Sequence, residues 1–112
     1  MKIDWKKVVL KRSGEPEKLP TGESLTVGYL CVNSLYLMTE QDRTLSGKDK
    51  YDLHKLAKKV DLEPDSDFTI EQLGKIKEHV GRKETVWGVG QVFECIENPL
   101  PKEAKDPEAK PA

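Results

Sequence analysis

The chain has no long apolar run, few aromatic residues and almost no net charge, and each shortage removes a class of function. No stretch of its 112 residues approaches the roughly 18 consecutive apolar positions that a membrane-spanning helix needs. The opening Met1-Lys2-Ile3-Asp4-Trp5 lacks the apolar stretch of a secretion signal, so a cytoplasmic location and no membrane contact are expected. With 19 Lys and Arg against 20 Asp and Glu, the formal charge is −1. Proteins dedicated to nucleic acid usually carry a clear basic excess, because neutralised phosphates supply most of their affinity. That partner is disfavoured here unless one face collects the lysines. Two cysteines, Cys31 and Cys95, each fall within a helical apolar pattern. They read as buried thiols of a reducing compartment, with a bond between them left open at this point.

The raw material for catalysis is equally thin. His54 and His79 are the only histidines, and neither has the Cys or carboxylate spacing of a zinc site. A Cys–His pair such as Cys95 with His79 could meet in the fold, but nothing in the pattern demands it. Gly88-Val89-Gly90 sits inside a helical period rather than between a strand and a helix, so it reads as close packing and not as a phosphate loop. No metal, no cofactor and no enzymatic activity are expected.

What the chain does have is a set of helix-start signals, each directly before a segment of helical apolar period. Thr69 and Gln72 form a capping box, and Phe68 and Leu73 a hydrophobic staple around it. Leu25 and Leu30 repeat the staple around Thr26, Ser46 with Asp49 makes a weaker box, and Thr85 opens a final run. Local agreement of this kind predicts a mainly α fold: a compact bundle of about four short helices forming one domain.

Residues 1–24 are expected to form an irregular or β-hairpin arm that packs on the bundle. Ser13-Gly14-Glu15-Pro16 and Leu19-Pro20-Thr21-Gly22 supply its turn chemistry. The helical domain spans residues 25–98. Its first helix is predicted from about Val27 to Met38, apolar nearly all round, which places it centrally or gives it a second face for a partner. The second runs from about Gly47 to Val60, the third from about Ile70 to Val80 with Gly81 as a left-handed C-cap, and the fourth from about Val86 to Glu97, stopped by Asn98-Pro99. Residues 99–112 hold little to bury and read as a disordered tail.

Four patterns bear on function. The linker Asp61-x-Glu63-x-Asp65-x-Asp67 resembles a calcium loop in its alternation. It has Ser66 where the sixth position needs Gly and Gln72 where the twelfth needs Glu, so an acidic turn is the better reading. The third and fourth helices have helix-turn-helix spacing, but the fourth carries no Lys or Arg and exposes Glu94 and Glu97, which phosphates would repel. Lys48, Lys55, Lys58 and Lys59 form a basic face on the second helix. It reads as a solvated surface or, alternatively, as the contact face of a nucleic-acid-associated regulator. Tyr29, Tyr36, Leu37, Trp87 and Val92 are apolar groups that the inward stripes do not obviously use. They form a partner surface, or else the N-terminal arm covers them.

Ile3-Asp4-Trp5, Leu25-Thr26-Val27-Gly28 with Val32-Asn33-Ser34-Leu35, Ser46-Gly47-Lys48-Asp49-Lys50 before Leu56-Ala57, and Val89-Gly90-Gln91-Val92 together resemble a family of small bacteriophage and prophage proteins of about 100 residues. The resemblance covers about residues 3–97 and transfers no active-site residue. It implies a protein in the cytoplasm of a bacterial host that works by binding a viral or host protein, or itself. An assembly chaperone or a modifier of a host factor would fit.

Overall fold

The computed structural model describes residues 1–101, so most of the tail expected over 99–112 lies outside the described residues. Four helices follow the N-terminal arm: α1 (Val27–Tyr36), α2 (Gly47–Leu62), α3 (Ile70–Lys83) and α4 (Val86–Glu97). A single 3-10 turn, Glu40–Asp42, lies in the link between α1 and α2. The predicted starts hold because they are set locally. The side chains of Thr26, Ser46, Thr69 and Thr85 each accept the backbone N–H three residues on, satisfying one of the orphan donors of a first turn. Thr69 and Gln72 complete their box, with the Thr69 N–H donating to Gln72 Oε1 at 2.9 Å. Phe68 and Leu73 are both buried in the core, as the staple requires.

The ends differ from expectation where distant residues decide them. α1 stops at Tyr36 rather than Met38, with Leu37 extended at φ −71° and ψ 124°. α3 does not end at Gly81: that residue is helical, the helix continues to Lys83, and Glu84 is the extended cap. Gly14 and Gly22 are the residues with positive φ, at 94° and 93°.

α1 is the central element. It packs against α2, α3 and α4, and α3 packs against α4, whereas the backbones of α2 and α3 stay further apart. This placement explains its apolar content: Val27, Cys31 and Leu35 are buried, and Leu30 and Val32 pack against the core from other sides. Cys31 and Cys95 are buried and not bonded to one another.

The arm is built from three extended segments that pair in isolated bridges: Val8 with Thr26, Leu10 with Pro16, and Lys18 with Ser24. Backbone hydrogen bonds of 2.8 Å close a ring, from Val9 N to Leu25 O, Leu25 N to Glu17 O, and Glu17 N to Val9 O. Gly14 and Gly22 turn the chain between the segments, where the left-handed region would strain any other residue. Trp5 anchors the arm in the core and meets the Phe68 ring edge-on at 5.2 Å. It reaches that depth because α1 presents Gly28 there. The Gly28 N–H donates to Trp5 O at 2.8 Å, and a Cβ at Gly28 would stand 3.0 Å from that oxygen.

Candidate functional site

Two clusters of polar and aromatic side chains meet at the C-terminal end of α1, one inside the molecule and one on its surface. The inner cluster begins with a deficit. The last turn of α1 contains no basic residue, so its carbonyls and the negative end of its dipole need a cation from elsewhere. Lys83, the last residue of α3, supplies it. Its Nζ donates to Ser34 O at 2.9 Å and to Leu37 O, and its side chain is fully buried.

A buried ammonium needs a counter-charge. Asp42, from the 3-10 turn, provides one at 3.1 Å from Oδ2, while Arg82 Nη2 donates to Oδ1 at 2.8 Å. Thr39 closes the shell, its N–H and hydroxyl both donating to Oδ2. Burial alone would raise the Asp42 carboxyl, but the Thr39 N–H and the Lys83 ammonium hold it well below the usual carboxylate range.

His79 completes the cluster. Its Nδ1 lies 2.9 Å from Lys83 Nζ and 3.1 Å from Arg82 Nη2. Lysine and arginine only donate, so Nδ1 must accept and the ring proton sits on Nε2. Burial, then the charges of Lys83 and Arg82, push the His79 pKa down and keep the ring neutral.

The outer cluster is an aromatic ladder. Tyr36 Oη and His54 Nδ1 share a hydrogen bond of 2.9 Å, and their rings lie 5.8 Å apart. Tyr51 stacks on His54 at 6.3 Å between ring centres, with the Lys55 ammonium 4.9 Å from the centre of the Tyr51 ring. Tyr51, His54, Lys55 and Lys58 follow helical spacing along one exposed face of α2. Leu37 and Met38 stand beside Tyr36, and these apolar groups are about half exposed or more, Tyr51 the most at 59%.

The expected partner surface is thus not one surface. Tyr36 and Leu37 belong to the ladder, and Tyr29 is exposed on α1. Trp87 is engaged elsewhere: its Nε1 donates to Leu10 O at 2.7 Å, and Gln91 pairs with the same residue through Leu10 N and O. The arm therefore covers part of Trp87. Val92 does not belong to any surface. It is fully buried, because α4 packs on α1 and α3 together and its inward stripe includes that position. Among the predicted lysines, Lys48 and Lys55 pair with Asp52, and Lys59 bonds Gln72 and Asp67 O. Lys58 forms no ion pair among the described residues.

Sequence reasoning missed Tyr51, His54, Asp42 and Lys83 as members of these clusters. The spacing of Tyr51, His54 and Lys58 was a readable signal, whereas the pairing of Asp42 with Lys83 spans the fold and left no local trace.

The cysteines offer little chemistry. Burial pushes both thiols upward, Cys31 the further, and Cys95 Sγ donates to Asp4 O at 3.3 Å. Protonated, enclosed thiols are poor nucleophiles. Among the described residues no three His, Cys, Asp or Glu side chains converge as a metal site, and no helix is long and apolar enough to cross a membrane. Searches of protein-family models, of curated proteins and of solved structures returned no match.

Proposed function

We propose that this is a non-enzymatic binding protein that docks another protein through the C-terminal end of α1 and the exposed face of α2. The observation that carries this reading is the ladder Tyr36–His54–Tyr51, held rigid by stacking and a hydrogen bond yet open to solvent. Preordered aromatic groups lose little entropy on contact and are the usual anchors of interfaces. The buried Asp42–Lys83 pair supports the role by fixing the backbone on either side of Leu37 and Met38. In line with the resemblance to small phage proteins, the proposed partner is a viral or host protein in a bacterial cytoplasm, or a second copy of the chain.

A photo-crosslinking residue at Leu37 tests the reading, with one at Lys77 on α3 as control. We expect a discrete crosslinked species from position 37 that disappears on Tyr51→Ala. Equal crosslinking from both positions, or none from position 37, would reject it. Light scattering on the purified protein separates self-association from a foreign partner.

A second reading has one observation in its favour. Tyr51 and His54 beside Lys55 and the unpaired Lys58 also resemble a stacking platform for single-stranded nucleic acid. A gel shift at low salt decides it, and absence of binding there eliminates it.

A further inference from the structure

α2 and α3 both pack on α1, and a groove of about 830 Å³ opens between them. Its floor is apolar and buried, with Leu53 and Leu56 among its residues, and His79 lies in the same lining. His79 is 2% exposed. With Nδ1 committed to Lys83 and Arg82, its remaining polar group is the Nε2–H, which donates to no atom among the described residues. The buried side-chain atoms left without a partner among the described residues are Trp5 Nε1 and Ser34 Oγ, so His79 Nε2 opens to the groove, where water or a ligand oxygen can accept from it.

The charges along the groove are ordered. Asp49 and Asp52 line the end near the start of α2, and Glu63 and Glu71 the end near the α2–α3 turn. Between them stand Lys55, Lys58, Lys59 and Lys75. Lys58 forms no ion pair among the described residues, whereas Lys55 is shared with Asp52, Lys59 with Gln72 and Asp67 O, and Lys75 with Glu78. A continuous polyanion would meet carboxylates at both ends, which disfavours a nucleic-acid strand. A short peptide segment with a carboxylate at its centre, apolar neighbours and a cation at each end matches the pattern throughout.

We infer that the groove between α2 and α3 binds such a segment of a partner protein, its central carboxylate accepting from His79 Nε2–H within the lysine collar. The inference rests on the reading of the chain as a binding protein and adds a site that adjoins the aromatic ladder at Lys55 and Lys58 but does not include its rings.

The probe is the acetylated, amidated pentapeptide Lys-Leu-Glu-Leu-Lys, followed by NMR titration of the full chain. Saturable shifts at His79 and at the Leu53 and Leu56 methyls are expected, with a dissociation constant on the order of millimolar. The glutamine analogue Lys-Leu-Gln-Leu-Lys should bind about tenfold more weakly, a difference of about 1.4 kcal/mol. Lys58→Glu, at an exposed position, should weaken the glutamate peptide and leave the fold intact. His79→Asn, which offers an acceptor near the Nδ1 position but no Nε2–H, should remove the preference for glutamate over glutamine. Equal binding of both peptides, shifts mapping away from the groove, or saturation of the groove by a thymidine decamer would overturn the proposal. Tyr51→Ala should bind the pentapeptide normally, so loss of crosslinking at position 37 and loss of groove binding are separable failures.

Discussion

The inner and outer clusters at the end of α1 use similar parts for opposite ends. Each contains a histidine flanked by groups from a neighbouring segment, and each joins α1 to a second helix. Inside, the side chains of Lys83 and Asp42 are sealed from water, so both charged groups must find their partners within the protein. Outside, Tyr36, His54 and Tyr51 are ordered by one another while solvent remains on their free faces. The difference shows how a small domain separates holding from touching. The buried ions fix the chain that connects α1 to α2, and the ladder built on that chain stays available.

If this division is right, the clusters should answer mutation very differently. The largest effect is expected from Lys83→Ala, which leaves the buried Asp42 carboxylate with Arg82 as its one close cation and Ser34 O and Leu37 O without their donor. Breaking a buried pair by removing one partner costs about 3–5 kcal/mol, measurable by urea unfolding at neutral pH. A loss below about 1 kcal/mol would mean water reaches the cluster and the contrast with the surface is false.

Acid should weaken the inner cluster in two stages. His79 is held below its ordinary 6.5, so on acidification the unfolded chain takes up that proton first. Stability from this group is full above pH 6.5 and declines as the pH falls below it. Asp42 is also held low, so its contribution is present above its ordinary 3.8 and is lost only as the pH drops further. Glu84, pushed up by burial, acts in the opposite sense above its ordinary 4.5, in the interval before the second stage begins. Unfolding free energy measured against pH should therefore begin to fall below pH 6.5, and His79→Asn should remove that first stage. A curve flat from neutral pH down to the carboxylate range would show that His79 is not held neutral by burial.

How much of this was legible in the sequence follows from range. The helix starts were readable because a cap and its staple are written within six residues, as at Phe68 to Leu73. The apolar content of α1 on every side left two options open, central placement or a second face for a partner, and packing against three helices makes it central. The helix ends were not readable in the same way. Lys83 is helical and buried because Asp42, distant in sequence, draws it inward, and Gly81 looked like a stop only without that pull. The arm was legible as turns at Gly14 and Gly22, yet the closed ring of Val9, Glu17 and Leu25 needs three segments to meet at once. For the candidate site, Tyr36 and Leu37 were visible as surplus apolar groups. Val92 was misplaced because a helix packed on two neighbours buries a wider stripe than one packed on a single face.

The smallest expected change in stability tests the outer half of the comparison. Tyr36→Phe removes a hydrogen bond that water can replace, and Tyr51→Ala removes a ring already 59% exposed. Each should shift the unfolding free energy by no more than about 1 kcal/mol, since exposed contacts exchange freely with solvent. Binding should respond in the opposite proportion, because truncating an interface anchor typically costs about 2 kcal/mol or more of affinity. The decisive measurement is both quantities on the same variant. If Tyr51→Ala lowers stability by more than about 2 kcal/mol, the ladder is a strut between α1 and α2 and belongs with the buried ions. If stability holds while crosslinking at Leu37 vanishes, the aromatic surface is retained for contact, because the folded state gains little from keeping it.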